Sequence, residues 1–149
     1  MSPVTTRSRN PPMIDWSKVF AEALSYRAFL ETFATPAQKQ RWDAMQGRYS
    51  LSAEQAELLG SFTRRMPVIC LAGAWCGDCI NQCPVFDHFA RSSSAIDLRF
   101  LDRDALPEVR ETLMINGGQR VPVAVFLSAV RVLFWLLVSD VPTDEKRVA

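Results

Sequence analysis

The chain has 149 residues, the size of a single domain, with 48% hydrophobic and 22% charged residues. Its 17 basic and 16 acidic residues leave a net charge of +1, which argues against nucleic-acid binding and against electrostatic docking on a membrane. A chain this long can bury a core without disulfide staples.

Residues 1–12 hold two Arg, three Pro and several Ser and Thr with almost nothing apolar, and read as a disordered tail. They lack the apolar segment of a secretory signal. The longest apolar runs, Met66 to Gly77 and Val132 to Val138, fall short of the roughly 20 residues that span a bilayer. The expectation is a soluble, cytoplasmic protein.

From Ile14 to Phe33 apolar residues recur at helical spacing: Trp16, Val19, Phe20, Ala23, Leu24, then Phe29, Leu30 and Phe33. The aromatic residues among them are most simply helix core. Thr35-Pro36-Ala37-Gln38 predicts a helix start, with Thr35 as N-cap, Pro36 at the first position and Gln38 closing a capping box. Ser52-Ala53-Glu54-Gln55 predicts another, leading into Leu58, Leu59 and Phe62. Residues 13–65 thus read as two or three helices in front of something else.

The texture changes at Pro67. Val68 to Ala72 is a short apolar run bounded by Pro and Gly, as expected of a buried strand. A helix is predicted from Gly77 to about Arg91, and a strand from Ile96 to Leu101. A short helix follows Pro107, the chain breaks at Gly117-Gly118, and strands are predicted at Val121 to Leu127 and within Val130 to Val138. The order strand, helix, strand, helix, strand, strand predicts an α/β fold, a mixed sheet with helices packed on it. Trp135 reads as packed in the sheet, with an exposed dimer edge as the alternative.

All four cysteines lie between Cys70 and Cys83. A disulfide scaffold would spread them to tie distant segments, so clustering points to redox or metal chemistry. Cys76 and Cys79 form a C-x-x-C pair after a predicted strand and at a predicted helix start. The helix dipole and free N–H groups there stabilise an anion, so Cys76 is expected to be activated by a lowered pKa. Cys79, one turn further in, would resolve the mixed disulfide that Cys76 forms. Gly77 is expected to permit a tight turn.

Trp75-Cys76-Gly77-Asp78-Cys79 resembles the WCGPC signature of thioredoxins. Pro84 stands five residues after the second Cys, where thioredoxins have a helix proline. Val121-Pro122 stands where they place a cis-proline, and Asp102 at its strand end also resembles the pattern. The resemblance covers roughly residues 67–127. It implies a thioredoxin-like domain over residues 66–149, preceded by the tail and by a helical extension over 13–65. It implies Cys76 as nucleophile and Cys79 as resolving thiol. Trp75, Gly77 and Asp78 would belong to the surface that receives a partner. Pro122 would sit against the sulfurs in a cis peptide bond, with Val121 offering its backbone to an extended substrate.

The sequence also departs from that pattern. Thioredoxins carry a buried Asp six residues before the nucleophile, and here that position is Cys70. Asp78 replaces the proline between the cysteines, and its charge is expected to raise the pKa of Cys76. No glycine follows Gly118, and Pro142 to Ala149 is short and polar for a closing helix.

The expected function is thiol–disulfide oxidoreduction by a Cys76/Cys79 dithiol, with disulfide-containing proteins as substrates and an unidentified reductant. No cofactor or metal is expected, and the chain is expected to be a monomer. A thioredoxin-fold binding module with little turnover is the first alternative. The second is a zinc site drawing further ligands from Cys70, Cys83 or His88. An iron–sulfur run is one Cys short. Cys83 lies on the same helix face as Cys79, either as a small buried hydrophobe or as an auxiliary thiol. Cys70 reads as core and His88 as a surface or packing residue.

Overall fold

A computed structural model of the protein describes residues 13–127 and the backbone of 134–137. The proposed tail at 1–12, the side chain of Trp135 and the segment Pro142 to Ala149 lie outside the described residues.

Four helices come first. They are α1 (Trp16–Glu22), α2 (Tyr26–Phe33), α3 (Pro36–Arg48) and α4 (Ala53–Gly60). Both predicted capping boxes form. The Thr35 hydroxyl accepts from the Gln38 N–H while the Gln38 side chain accepts from the Thr35 N–H, and Ser52 and Gln55 repeat the arrangement. The apolar periodicity from Ile14 to Phe33 is split between α1 and α2. Leu24 pairs with Phe100 instead, through backbone bonds of 2.8 and 2.6 Å. Ser25 then caps α2 by accepting from the Ala28 N–H. Two ladder bonds and a new cap outweigh the helical turn they replace.

The remaining described elements are β1 (Met66–Ala72), α5 (Gly77–Arg91), β2 (Ile96–Asp102), α6 (Pro107–Thr112), β3 (Val123–Phe126) and β4 (Phe134–Leu137). They follow the predicted order. The sheet runs β2-β1-β3-β4. β1 is parallel to β2 and antiparallel to β3, and β3 is antiparallel to β4. With partners on both edges and Val68 to Ala72 buried, β1 is the central strand, as its continuous apolar run requires. Leu24 lies along the other edge of β2 and occupies part of it, one of the ways a chain blunts an exposed edge.

The first three helices share the core of the sheet, whereas α4 buries no residue. Val19, Phe29, Leu30 and Trp42 belong to the same buried cluster as Ile69, Leu71, Cys79, Cys83, Phe100 and Val125. Rings of Tyr26, Phe29, Trp42 and Phe100 pack at centroid distances of 5.7 to 5.9 Å. Of the aromatic residues read as helix core, Phe29 is fully buried, Trp16 and Phe20 are half-buried, and Phe33 is exposed. Phe20 carries the Arg99 guanidinium 4.1 Å above its ring, and Arg99 also donates to the Phe20 carbonyl.

Polar contacts tie α3 and the residue after it to α5. Gln46 donates to the buried Asp87 carboxylate at 2.7 Å, which also pairs with Arg91. His88 Nε2 lies 2.8 Å from the Gln46 carbonyl, and the Tyr49 hydroxyl donates to the Asn81 carbonyl. His88 is thus a packing residue.

Trp42 makes a long-range bond as well, its Nε1–H donating to the Ala74 carbonyl at 2.9 Å. Trp42→Ala is expected to cost about 3–5 kcal/mol through the lost ring. Trp42→Phe, which keeps a ring but orphans the buried carbonyl, is expected to cost about 1–3 kcal/mol. Urea denaturation of the three proteins checks both figures.

Candidate active site

The chain leaves β1 at Ala72 and enters α5 at Gly77, so residues 73–76 form a short loop at the end of the central strand. Three hydrogen bonds hold it. Ala74 accepts from Trp42, the Cys76 N–H donates to the Gly73 carbonyl at 3.0 Å, and the Gly73 N–H donates to the Cys79 sulfur at 3.4 Å. Trp75 folds back over Gly73. A Cβ at Gly73 would lie 2.8 Å from the indole Nε1 and Cε2, so glycine is what lets the ring approach. Trp75 is half exposed, and Arg103 stacks 4.7 Å above its ring.

Gly77 has a different role from the one expected. It has no left-handed backbone angle, and a Cβ there would meet nothing within 4 Å. The turn does not require glycine at 77. The close approach that does require one is at Gly73. The space in front of Gly77 is open, which leaves the first turn of α5 accessible to a partner.

Cys76 is the N-cap residue of α5, in extended conformation. It is the one partly exposed cysteine; Cys70, Cys79 and Cys83 are fully buried, and all four are free thiols. The Cys76 sulfur lies 3.7 Å from the Val121 carbonyl. The Val121-Pro122 peptide bond is cis, as the sequence motif implied, and both residues are buried. The loop after β1, the first turn of α5 and the segment before β3 therefore meet at one point. Trp75, Cys76, Gly77, Asp78, Cys79, Val121 and Pro122 all lie at or beside it.

The electrostatics differ from the sequence expectation. Burial raises the Cys76 thiol above its ordinary value, and this outweighs the lowering by the backbone N–H groups of Cys79 and Asp78. The lowered thiol is Cys79. It is held down first by a hydrogen bond from Cys83 and also by the Gly73 N–H, against its own burial. The Asp78 carboxylate raises Cys79 as a minor influence, while Asp78 offers Cys76 its backbone N–H. Asp102, at the end of β2, is raised by burial and accepts from the Asp104 N–H.

Sequence reasoning did not single out Trp42, Gly73 or Arg103. The zinc alternative required ligands around the cysteine pair. Among the described residues no group of three or more His, Cys, Asp or Glu side chains is arranged to hold a metal ion. No described helix is long and apolar enough to cross a membrane.

A thiol pair at the start of a helix, behind a central strand and against a cis-proline, defines a thioredoxin-like fold. The chain belongs to the thioredoxin family, whose model matches residues 23–135. That span includes α2, α3 and α4 as well as β1 to β3 and the start of β4. The fold is similar to the crystal structure of a protein of unknown function from Pseudomonas aeruginosa. The TM-score is 0.70 at 18% identity, covering 81% of this chain and 74% of that one. It is similar also to an HIV epitope scaffold, with a TM-score of 0.69 at 18% identity, covering 80% and 74%. No curated protein matches the chain.

The raised Cys76 sets a pH dependence. Thiolate is the reactive form, so below the pKa the rate of alkylation climbs about tenfold per pH unit. Iodoacetamide modification of Cys76 in the native protein is expected to keep climbing past pH 8.5, the midpoint of about 8.5 for a free thiol. Peptide mass analysis across pH 6 to 10 measures it. A plateau reached below pH 8 would show that the helix terminus outweighs burial.

Proposed function

We propose that the protein is a thiol–disulfide oxidoreductase acting on disulfides of other proteins. The observation that carries this reading is the position of Cys76. The residue is partly exposed at the start of α5, and its sulfur lies 3.7 Å from the Val121 carbonyl beside the cis-proline, with the buried Cys79 one turn behind it. Family membership supports the same chemistry.

In the reducing direction the Cys76 thiolate attacks one sulfur of a substrate disulfide. The substrate S–S bond breaks, one substrate thiol leaves, and Cys76 is joined to the other sulfur. Cys79 then attacks Cys76. The mixed disulfide breaks, the second substrate thiol leaves, and a Cys76–Cys79 disulfide remains. The hydrogen bonds that lower Cys79 favour this second step, because they hold negative charge on the resolving sulfur. An external thiol restores the dithiol. No metal or organic cofactor enters either step.

The open first turn at Gly77, the half-exposed ring of Trp75 and the Val121 backbone would form the receiving surface for an extended substrate segment. Asp78 would place a carboxylate at its rim and disfavour acidic partners. Cytoplasmic location, which keeps thiols reduced, and action as a monomer complete the reading.

Insulin reduction by dithiothreitol tests it, with zinc measured on the same sample. Wild type is expected to accelerate the reaction, and Cys76→Ser is expected to return it to the rate of dithiothreitol alone. No acceleration by wild type, with Cys76 unreactive, would favour a binding module instead. Stoichiometric zinc would favour a metal site.

A further inference from the structure

Three cysteine sulfurs lie behind Cys76, and the proposed reaction uses one of them. Cys79 and Cys83 are one turn apart on the same face of α5, and both are fully buried. The Cys83 sulfur lies 3.9 Å from that of Cys70 on the central strand β1, which is also fully buried. The sulfurs therefore form a run that leads from the partly exposed Cys76 through the buried Cys79 and Cys83 to the buried Cys70. We propose that Cys70 and Cys83 are a second, buried redox dithiol that receives a disulfide from Cys76–Cys79 by internal exchange through Cys79. The proposal rests on the thiol–disulfide reading above and extends it.

The exchange balances without any further reagent. A disulfide-bearing partner first oxidises the surface pair and leaves as two thiols, giving Cys76–Cys79. Cys83 then attacks the Cys79 sulfur. The Cys76–Cys79 bond breaks, Cys79–Cys83 forms, and Cys76 leaves as a thiolate that takes the proton Cys83 gives up. Cys70 next attacks the Cys83 sulfur. Cys79–Cys83 breaks, Cys70–Cys83 forms, and Cys79 leaves with the Cys70 proton. No electrons are gained or lost in these two steps. The surface dithiol is reduced again and can act on a second disulfide, so each chain carries two two-electron couples.

The geometry suits the inner bond. A disulfide bond is about 2.05 Å long, so the Cys70 and Cys83 sulfurs must close by about 2 Å, a movement of the size that rotation about χ1 gives. Pro84 directly follows Cys83 and has no N–H to offer the Ile80 carbonyl. The turn from Ile80 to Pro84, which overlaps the one from Cys79 to Cys83, thus lacks its helical bond, and this loosens the helix beside the two sulfurs. Burial shields the inner pair from thiols and disulfides in solution, leaving Cys79 as the way in. Burial also holds the Cys83 thiol well above its ordinary value, so the internal exchange is slower than the surface one and speeds up with pH.

Reduced wild-type protein incubated with excess oxidised glutathione tests the proposal. Samples are quenched in acid, alkylated in denaturant and cut with chymotrypsin, whose cleavage after Leu71 and Trp75 separates Cys70 from the other three. Cys76 and Cys79 are expected to lose their thiols first. The Cys70 fragment is then expected to become linked to the Cys83 fragment, until no free thiol remains. Cys70 and Cys83 still fully alkylated after Cys76 and Cys79 are oxidised would overturn the inner couple and leave the surface reading intact. Cys76 and Cys79 that never oxidise would overturn both. In Cys79→Ser, and in Cys79→Ala run beside it, oxidation of the inner pair is expected to slow at least tenfold. An unchanged rate in either would overturn the route through Cys79.

Discussion

The hydrogen bond from the Trp42 indole to the Ala74 carbonyl joins the two halves of the molecule at the point where the chemistry is placed. A buried indole N–H needs an acceptor, and this one finds it in the loop that carries the chain from the central strand to the thiol-bearing helix. Trp42 is itself held among Tyr26 and Phe29 of α2, and Phe100 of β2 packs against both of those rings. The loop is therefore positioned from below by the N-terminal helices and from within by the Cys76 and Gly73 backbone bonds. The bonds from Gln46 and Tyr49 to α5 act in the same direction. Helices α2 and α3 are thus part of the frame that holds the loop carrying Cys76, and both lie within the family match over residues 23–135.

Two physical effects compete at the cysteine pair. The start of α5 supplies N–H groups and a positive dipole end, which favour thiolate at Cys76. The walls formed by Val121, Pro122 and the loop remove water, which disfavours it, and burial prevails. The same exclusion of water bears on Cys79, but there Cys83 and Gly73 supply hydrogen bonds that compensate. The thioredoxin resemblance implies a carboxylate on the central strand beside the resolving thiol, and Cys83 supplies polar support to Cys79 instead. Here that strand position holds Cys70, in contact with Cys83.

Much of this was legible in the sequence because it depends on local chemistry. Thr35 with Gln38 and Ser52 with Gln55 announce their helix starts. The unbroken apolar run at Val68 to Ala72 announces a strand paired on both sides. Cys76 and Cys79 in register with Pro84 and Val121-Pro122 announce the site. What escaped depends on contacts far apart in the chain. The break at Leu24 comes from pairing with Phe100, which no periodicity records. Trp42 lies in a mostly polar helix whose pattern marks no buried face. The glycine that matters for the loop is Gly73, because Trp75 folds onto it, whereas the motif drew attention to Gly77. The helix terminus that lowers Cys76 is visible in the sequence, whereas the burial that raises it is not.

The central claim is that Cys76 is the atom that meets the substrate and Cys79 the one that releases it. Cys79→Ser, mixed with a disulfide-containing protein and analysed by non-reducing mass spectrometry, tests it directly. The account predicts a stable mixed disulfide joining the partner to Cys76 alone, with Cys70 and Cys83 still free. A partner attached through Cys70 or Cys83, or no adduct under conditions in which the substrate disulfide is reducible, would contradict it.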